Sequence, residues 1–213
     1  MNGRDTEAVL LLHGLWMNRF VMGYHTRALK HDGFSAEAIA YRSMRDTLDA
    51  NVQRLAKRVA ELAAPRVHLV GHSLGGVVVL RYLQRKPDAR IGRVVLLGAP
   101  VGGCRAAEQF ARLAGGRFLL GRSMSVWRGP FDTSLDSRHE VGVIAGTRSR
   151  GFGLGRIVTR LPEPNDGVVC LDETRLPGMR DGLVLPVGHI EMLVSSSVAR
   201  QTAAFLETGA FRR

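Results

Sequence analysis

The chain has 213 residues with a hydrophobic fraction of 45% and a charged fraction of 23%, the values of an ordinary globular protein, neither disordered nor membrane-spanning, and no functional class is excluded by composition alone. Its formal charge of +11 invites a nucleic-acid reading, but only Lys30, Lys57 and Lys86 are lysines and the arginines are spread over the whole length. The densest stretch, Arg54 to Arg58, fits the outer face of a helix, so no nucleic-acid partner is expected and a solvated basic surface with no specific partner is the first reading, a weak contact with an acidic partner or an anionic membrane surface the alternative.

Apolar runs alternate with amphipathic stretches along the chain, the pattern of strands buried on both faces of a parallel sheet. The first strand is read at Ala8-Val9-Leu10-Leu11-Leu12, closing at His13-Gly14. That run is too short for a signal segment or a membrane span, so a cytoplasmic location is expected. A helix over Arg19 to His31 follows, then a strand over Ala36 to Tyr41. Asp46 to Ala63 reads as a helix because Leu48, Val52, Leu55, Val59 and Leu62 recur at three- and four-residue steps with cations between them. Next come a strand at Val67 to Val70, a helix at Leu74 to Arg85, and a strand at Arg93 to Leu97 closing at Gly98-Ala99-Pro100. Glu140 to Ala145 and Gly182 to Pro186 complete the set. The expectation is one α/β domain over 1–213, a mostly parallel sheet of about six strands with helices on both faces and its ligand site beyond the strands' carboxyl ends. Cys104 and Cys170 have neither CxxC spacing nor a nearby His, so free thiols and no metal are expected.

The chemistry centres on Gly71-His72-Ser73-Leu74-Gly75. A strand that turns at once into a helix forces its corner residue into a strained conformation, tolerable when the residues two before and two after are small. Gly71 and Gly75 meet that need, and Ser73 is lifted to a helix N-terminus, where the dipole and free amides favour developing negative charge. A serine nucleophile needs a histidine to take its proton and a carboxylate to orient that histidine, here in the chain order Ser, acid, His. Only His139 and His189 follow Ser73. His139 precedes the fifth strand, at the amino edge of the sheet, whereas His189 follows the sixth strand, at the carboxyl edge, and is the candidate base. Asp88, Asp132 and Asp136 are placed away from that edge. Asp166, in the tight turn Pro164-Asn165-Asp166-Gly167, is the leading acid and Asp172 the alternative.

Two backbone amides are expected at the oxyanion: that of Leu74 and one from the loop after the first strand, where Gly14 lets the chain turn inward and Leu15 is the first choice, Trp16 the second. His13 reads as a brace for that loop. The stretch 100–135 is either a crossover or a small cap, and Trp16, His72, Phe118 and Trp127 are candidate pocket residues. Ser149 to Gly155 reads as a flexible loop beside the site.

Leu12-His13-Gly14, Gly71-His72-Ser73-Leu74-Gly75-Gly76, Asn165-Asp166-Gly167-Val168-Val169 and Gly188-His189-Ile190 together resemble the compact lipases and esterases of the α/β-hydrolase superfamily, including bacterial triacylglycerol lipases and the lipase-like domain of GPI inositol-deacylases. The resemblance implies Ser73, Asp166 and His189 as a triad, donors at Leu15 and Leu74, no cofactor, and a small-molecule ester or lipid-like substrate. The usual opening β-hairpin is missing, which implies a minimal sheet with no large lid. The same constellation serves thioesterases, amidases and acyltransferases, and a non-catalytic binding module on this scaffold is the reading from another class.

Overall fold

A computed structural model describes residues 7–85, 87–122, 136, 138–149 and 161–213. The six apolar runs form β1 (Glu7–Leu12), β2 (Ser35–Ala38), β3 (Arg66–His72), β4 (Ile91–Leu97), β5 (Val141–Gly146) and β6 (Asp181–Leu185), in the order β2-β1-β3-β4-β5-β6. Every neighbouring pair is parallel. All the carboxyl ends therefore lie along one edge, and the loops that leave them are the ones able to build a shared site.

The helices are α1 (Gly23–His31), α2 (Leu48–Glu61), α3 (Leu74–Leu83), α4 (Arg105–Arg112), α5 (Gly116–Leu120) and α6 (Ser196–Thr208). Successive strand residues point to opposite faces, and the core divides accordingly. Leu10, Leu12, Leu69, Val94 and Leu96 pack with Val52, Leu55 and Val59 of α2, Val77 of α3 and Phe110 of α4. Val9, Leu11, Val70, Val95 and Leu97 pack with Leu29 of α1 and Phe205 and Leu206 of α6. Each large side chain so buried stabilises the fold by roughly 1.5–3 kcal/mol. Helix α3 is apolar nearly all round because it runs through the interior, against β3 on one side and α2 on the other.

The expected elements form with shifted ends. Thr47 caps α2, its hydroxyl accepting the Ala50 N–H at 3.2 Å, and the Arg90 guanidinium closes the other end by donating to the carbonyls of Leu62, Ala64 and Val59 at 2.5, 3.1 and 3.0 Å. The first helix begins as a 3-10 turn, Arg19–Met22, because the Asn18 side chain accepts the Phe20 N–H at 3.0 Å and tightens that turn. Strand β2 stops at Ala38, short of Tyr41, because Tyr41 leaves the sheet to stack on His13, with ring centres 4.3 Å apart, and to donate its hydroxyl to the His13 carbonyl. Among the described residues no helix is long and apolar enough to cross a membrane.

Candidate active site

Strand β3 runs through His72, and Ser73 then takes φ 54° and ψ −123° at the head of α3. That conformation costs an L-residue about 1–3 kcal/mol and persists only where the surroundings impose it. Here they do: a Cβ on Gly71 would lie 2.5 Å from the Cα of Gly76, and one on Gly75 would lie 2.5 Å from the Leu12 carbonyl oxygen and 2.6 Å from that of His13. Strand, elbow and helix close on one another with no room for a methyl group. The Ser73 N–H donates to the Leu97 carbonyl at 2.9 Å, which ties the elbow to β4 and leaves the side chain at the carboxyl edge with the residue 7% exposed. As the first residue of α3, Leu74 has an N–H with no acceptor inside the helix.

Asp166 and His189 meet at the same edge. The turn that presents the acid is local: the Asn165 side chain accepts the Gly167 N–H at 2.9 Å, and Asp166 Oδ1 accepts the N–H groups of Val168 and Val169 at 2.9 and 2.7 Å. This leaves Oδ2 for the His189 Nδ1–H at 2.7 Å, while the His189 N–H donates to the Asp166 carbonyl at 2.8 Å. Both residues are buried. A carboxylate on Nδ1 fixes the neutral ring as the tautomer whose Nε2 lone pair is free to take a proton. The alternative acid, Asp172, is gripped by both arms of Arg105 at 2.8 and 2.6 Å, and that arginine holds its carboxyl below its usual range. His139 and Asp136 precede β5, at the opposite edge of the sheet.

The loop after β1 lies against the elbow, since a Cβ on Gly14 would meet Ser73 Cβ and His72 Nδ1 at 3.2 Å each. Leu15 is partly buried and packs on the core, while Trp16 adopts φ 59°, the only described non-glycine residue besides Ser73 with positive φ. The Trp16 indole N–H donates to the Leu119 carbonyl of α5 at 2.8 Å, and its ring meets Phe110 edge-on at 5.7 Å. The loop and the 105–120 helices are thus joined. Within that stretch Phe110 and Leu120 are buried, whereas Phe118 is exposed. Trp127 lies outside the described residues, as do residues 150–155 of the loop beginning at Ser149; Ser149 itself lies against the Asp166 turn, its carbonyl oxygen 3.4 Å from where a Cβ on Gly167 would sit.

His72 is closed off from solvent and so borders no open pocket. Its Nε2–H donates to the His189 carbonyl at 3.0 Å, and the two rings lie 4.7 Å apart. Burial first, and the neighbouring His189 second, hold His72 well below the ordinary imidazole range, so it stays neutral with its lone pair on Nδ1. His13 and His25 are buried and pushed down by the same desolvation, with side-chain bonds to the carbonyls of Gly14 and Met192 at 2.9 and 2.8 Å.

Two contributors escape a reading of motifs. Gly98, at φ +52°, lies under the acid-base pair, where a Cβ would sit 3.0 Å from Asp166 Oδ2 and 3.2 Å from His189 Nδ1. Its signal was the Gly98-Ala99-Pro100 close of β4, which registers as the end of a strand and says nothing of what rests on it. Glu191 accepts the Gly188 N–H at 3.0 Å and two bonds from Arg148 at 2.7 and 2.8 Å, which pins the loop that carries His189. Among the described residues no group of three or more His, Cys, Asp and Glu side chains is placed to hold a metal ion.

Solved structures with this fold include the Bacillus licheniformis lipase BlEst2 in its propeptide form, 18% identical with a TM-score of 0.78 over 97% of this chain. The chain spans 50% of that one, but 91% of the mature form of the same lipase, which it matches over 95% of its own length at 18% identity and a TM-score of 0.75. The carboxylesterase CesB from Bacillus subtilis is 15% identical, with a TM-score of 0.64 over 97% of this chain and 85% of its own. No curated protein matches the chain by sequence. The model of the alpha/beta hydrolase family matches residues 9–203, nearly the whole chain, from within β1 through β6, and the chain belongs to that family.

Proposed function

We propose that this chain hydrolyses carboxylic esters through an acyl-enzyme formed on Ser73. The observation that carries the reading is the buried 2.7 Å pair of Asp166 and His189 on the same sheet edge as a serine held at positive φ at the head of a helix. In this mechanism Ser73 Oγ attacks the ester carbonyl as its proton passes to His189 Nε2, and Asp166 stabilises the imidazolium. The N–H groups of Leu15 and Leu74 receive the oxyanion, each donor contributing about 3–4 kcal/mol to the barrier. Collapse breaks the bond to the alcohol, which leaves with the proton from His189; water then repeats the attack on the acyl-Ser73 ester, releases the acid and restores the serine. The names of the neighbouring structures, a lipase and a carboxylesterase, support an ester or lipid-like ester as substrate.

A panel of p-nitrophenyl esters of increasing chain length, run with wild type and Ser73→Ala, tests the reaction, with thioesters and anilides beside them to rank leaving groups. The expected result is ester turnover abolished by the substitution, together with a fluorophosphonate adduct on Ser73. Equal background rates in both proteins and no adduct would assign the chain to binding on a hydrolase scaffold.

A further inference from the structure

Single exposed apolar side chains are ordinary on a soluble protein, but a contiguous exposed group marks a contact surface. Phe20 is 76% exposed, Val194 63% and Ile190 41%, and the three line one groove of about 830 Å³ that starts at the residue following His189. Arg19, Arg27 and Lys30 line the same groove. None of these cations has an ion pair among the described residues, and the Arg19 guanidinium rests over the Phe20 ring at 5.2 Å.

Among the described residues the cations of this groove stand without a carboxylate partner, whereas many of the arginines elsewhere are paired. Arg54, Arg85, Arg90, Arg93, Arg105 and Arg138 each hold a carboxylate within 3.0 Å. By contrast, the sequence has no Asp or Glu between Glu7 and Asp32. The one acid lining the groove, Glu37, is engaged by Arg58 at 2.5 and 2.8 Å, and Glu191, beside Ile190, is engaged by Arg148. A second acid-free stretch, 109–122, repeats the pairing of cation and aromatic in Arg117-Phe118, and Phe118 is 87% exposed. It joins the loop after β1 through the Trp16–Leu119 bond.

We propose that this groove docks the carboxyl edge of the sheet onto an anionic phospholipid bilayer. Phe20, Ile190 and Val194 enter the boundary between headgroups and acyl chains, while Arg19, Arg27 and Lys30 meet lipid phosphates, the division of labour of an interfacial surface. A nucleic acid would use the cations and leave the aliphatic Ile190 and Val194 in water. Docking is independent of the ester-hydrolase reading, because it calls on no catalytic group.

The test is sedimentation of the full chain with unilamellar vesicles of phosphatidylcholine alone or mixed with phosphatidylglycerol, repeated with Ser73→Ala. Both proteins are expected to bind the mixed vesicles and to be released by salt. A contribution of about 1 kcal/mol per cation is a fivefold change, so the triple variant Arg19→Gln, Arg27→Gln, Lys30→Gln should bind on the order of 100-fold more weakly. Phe20→Ser should bind roughly tenfold more weakly, and circular dichroism reports whether each variant folds. Equal binding to both vesicle types, no binding to either, or salt-insensitive binding of the wild type would each overturn the proposal. So would single-stranded RNA that displaces the vesicles from the wild type while Phe20→Ser binds them undiminished.

Discussion

Replacing Asp166 by Asn separates the chemistry of the acid from its structural work. Oδ1 accepts two backbone N–H groups at 2.9 and 2.7 Å, and an asparagine can keep its oxygen there. Its NH2 group then occupies the Oδ2 position, 2.7 Å from His189 Nδ1, where two donors cannot face each other. His189 must therefore move its proton to Nε2 and accept at Nδ1, which removes the lone pair that Ser73 needs. In a serine protease triad the same exchange lowers kcat about 10⁴-fold with the geometry intact, and a loss of that size is expected here. Stability should fall by only about 1–2 kcal/mol, because two charge-assisted bonds become neutral ones of roughly half the strength. Asp166→Ala, by contrast, would leave the N–H groups of Val168 and Val169 without an acceptor. The assay is kcat on a short p-nitrophenyl ester alongside urea unfolding. An Asp166→Asn protein within tenfold of wild-type kcat would refute the assignment of this carboxylate to the base.

Gly75→Ala places a methyl group 2.5 Å from a backbone carbonyl oxygen, so β1 and α3 must separate; a loss of about 2 kcal/mol and of roughly 4–8 °C in Tm is expected by calorimetry. His13, His25, His68 and His72 all have pKa values pushed below 6.5, chiefly by burial, so below that pH the unfolded chain binds protons that the folded chain refuses. Their stabilisation is complete above about pH 6.5 and declines as the pH falls, by up to about 1.4 kcal/mol per pH unit for each histidine; equal urea midpoints at about pH 7.5 and about pH 5.5 would contradict this. Trp16→Phe removes the bond to the Leu119 carbonyl while keeping an aromatic ring against Phe110. Hydrogen exchange should then quicken in 116–120 with little change in global stability, since the net loss is about 1 kcal/mol.

Much of the architecture is legible because its causes are local. Val9 to Leu12 read as a doubly covered strand because both faces of β1 are buried, and the Leu48, Val52, Leu55 and Val59 stripe reads as α2 because one face meets the core. The elbow is legible because only glycine fits at 71 and 75, a steric demand that acts across a few residues. Asn165-Asp166-Gly167 announces its turn for the same reason. Element ends were less legible: β2 stops early because Tyr41 is drawn to His13, 28 residues away in the chain.

The sequence by itself determined the succession of strands and helices along the chain and the corner on which Ser73 sits, and it offered Asp166 and His189 as candidate partners. Only the tertiary structure decided which carboxylate meets His189, because Asp166 and Asp172 differ by six positions in sequence but by partner in space, one facing an imidazole and the other an arginine. It also decided that His72 reaches the carbonyl of a residue 117 positions away, that Gly98 makes room beneath the acid-base pair, and that Phe20 is left in solvent beside unpaired cations. The first two are set by the packing of the parallel strands β3, β4, β5 and β6 side by side and the last by the 190–194 turn meeting the segment between β1 and β2, contacts between segments too distant in the chain for any local pattern to record.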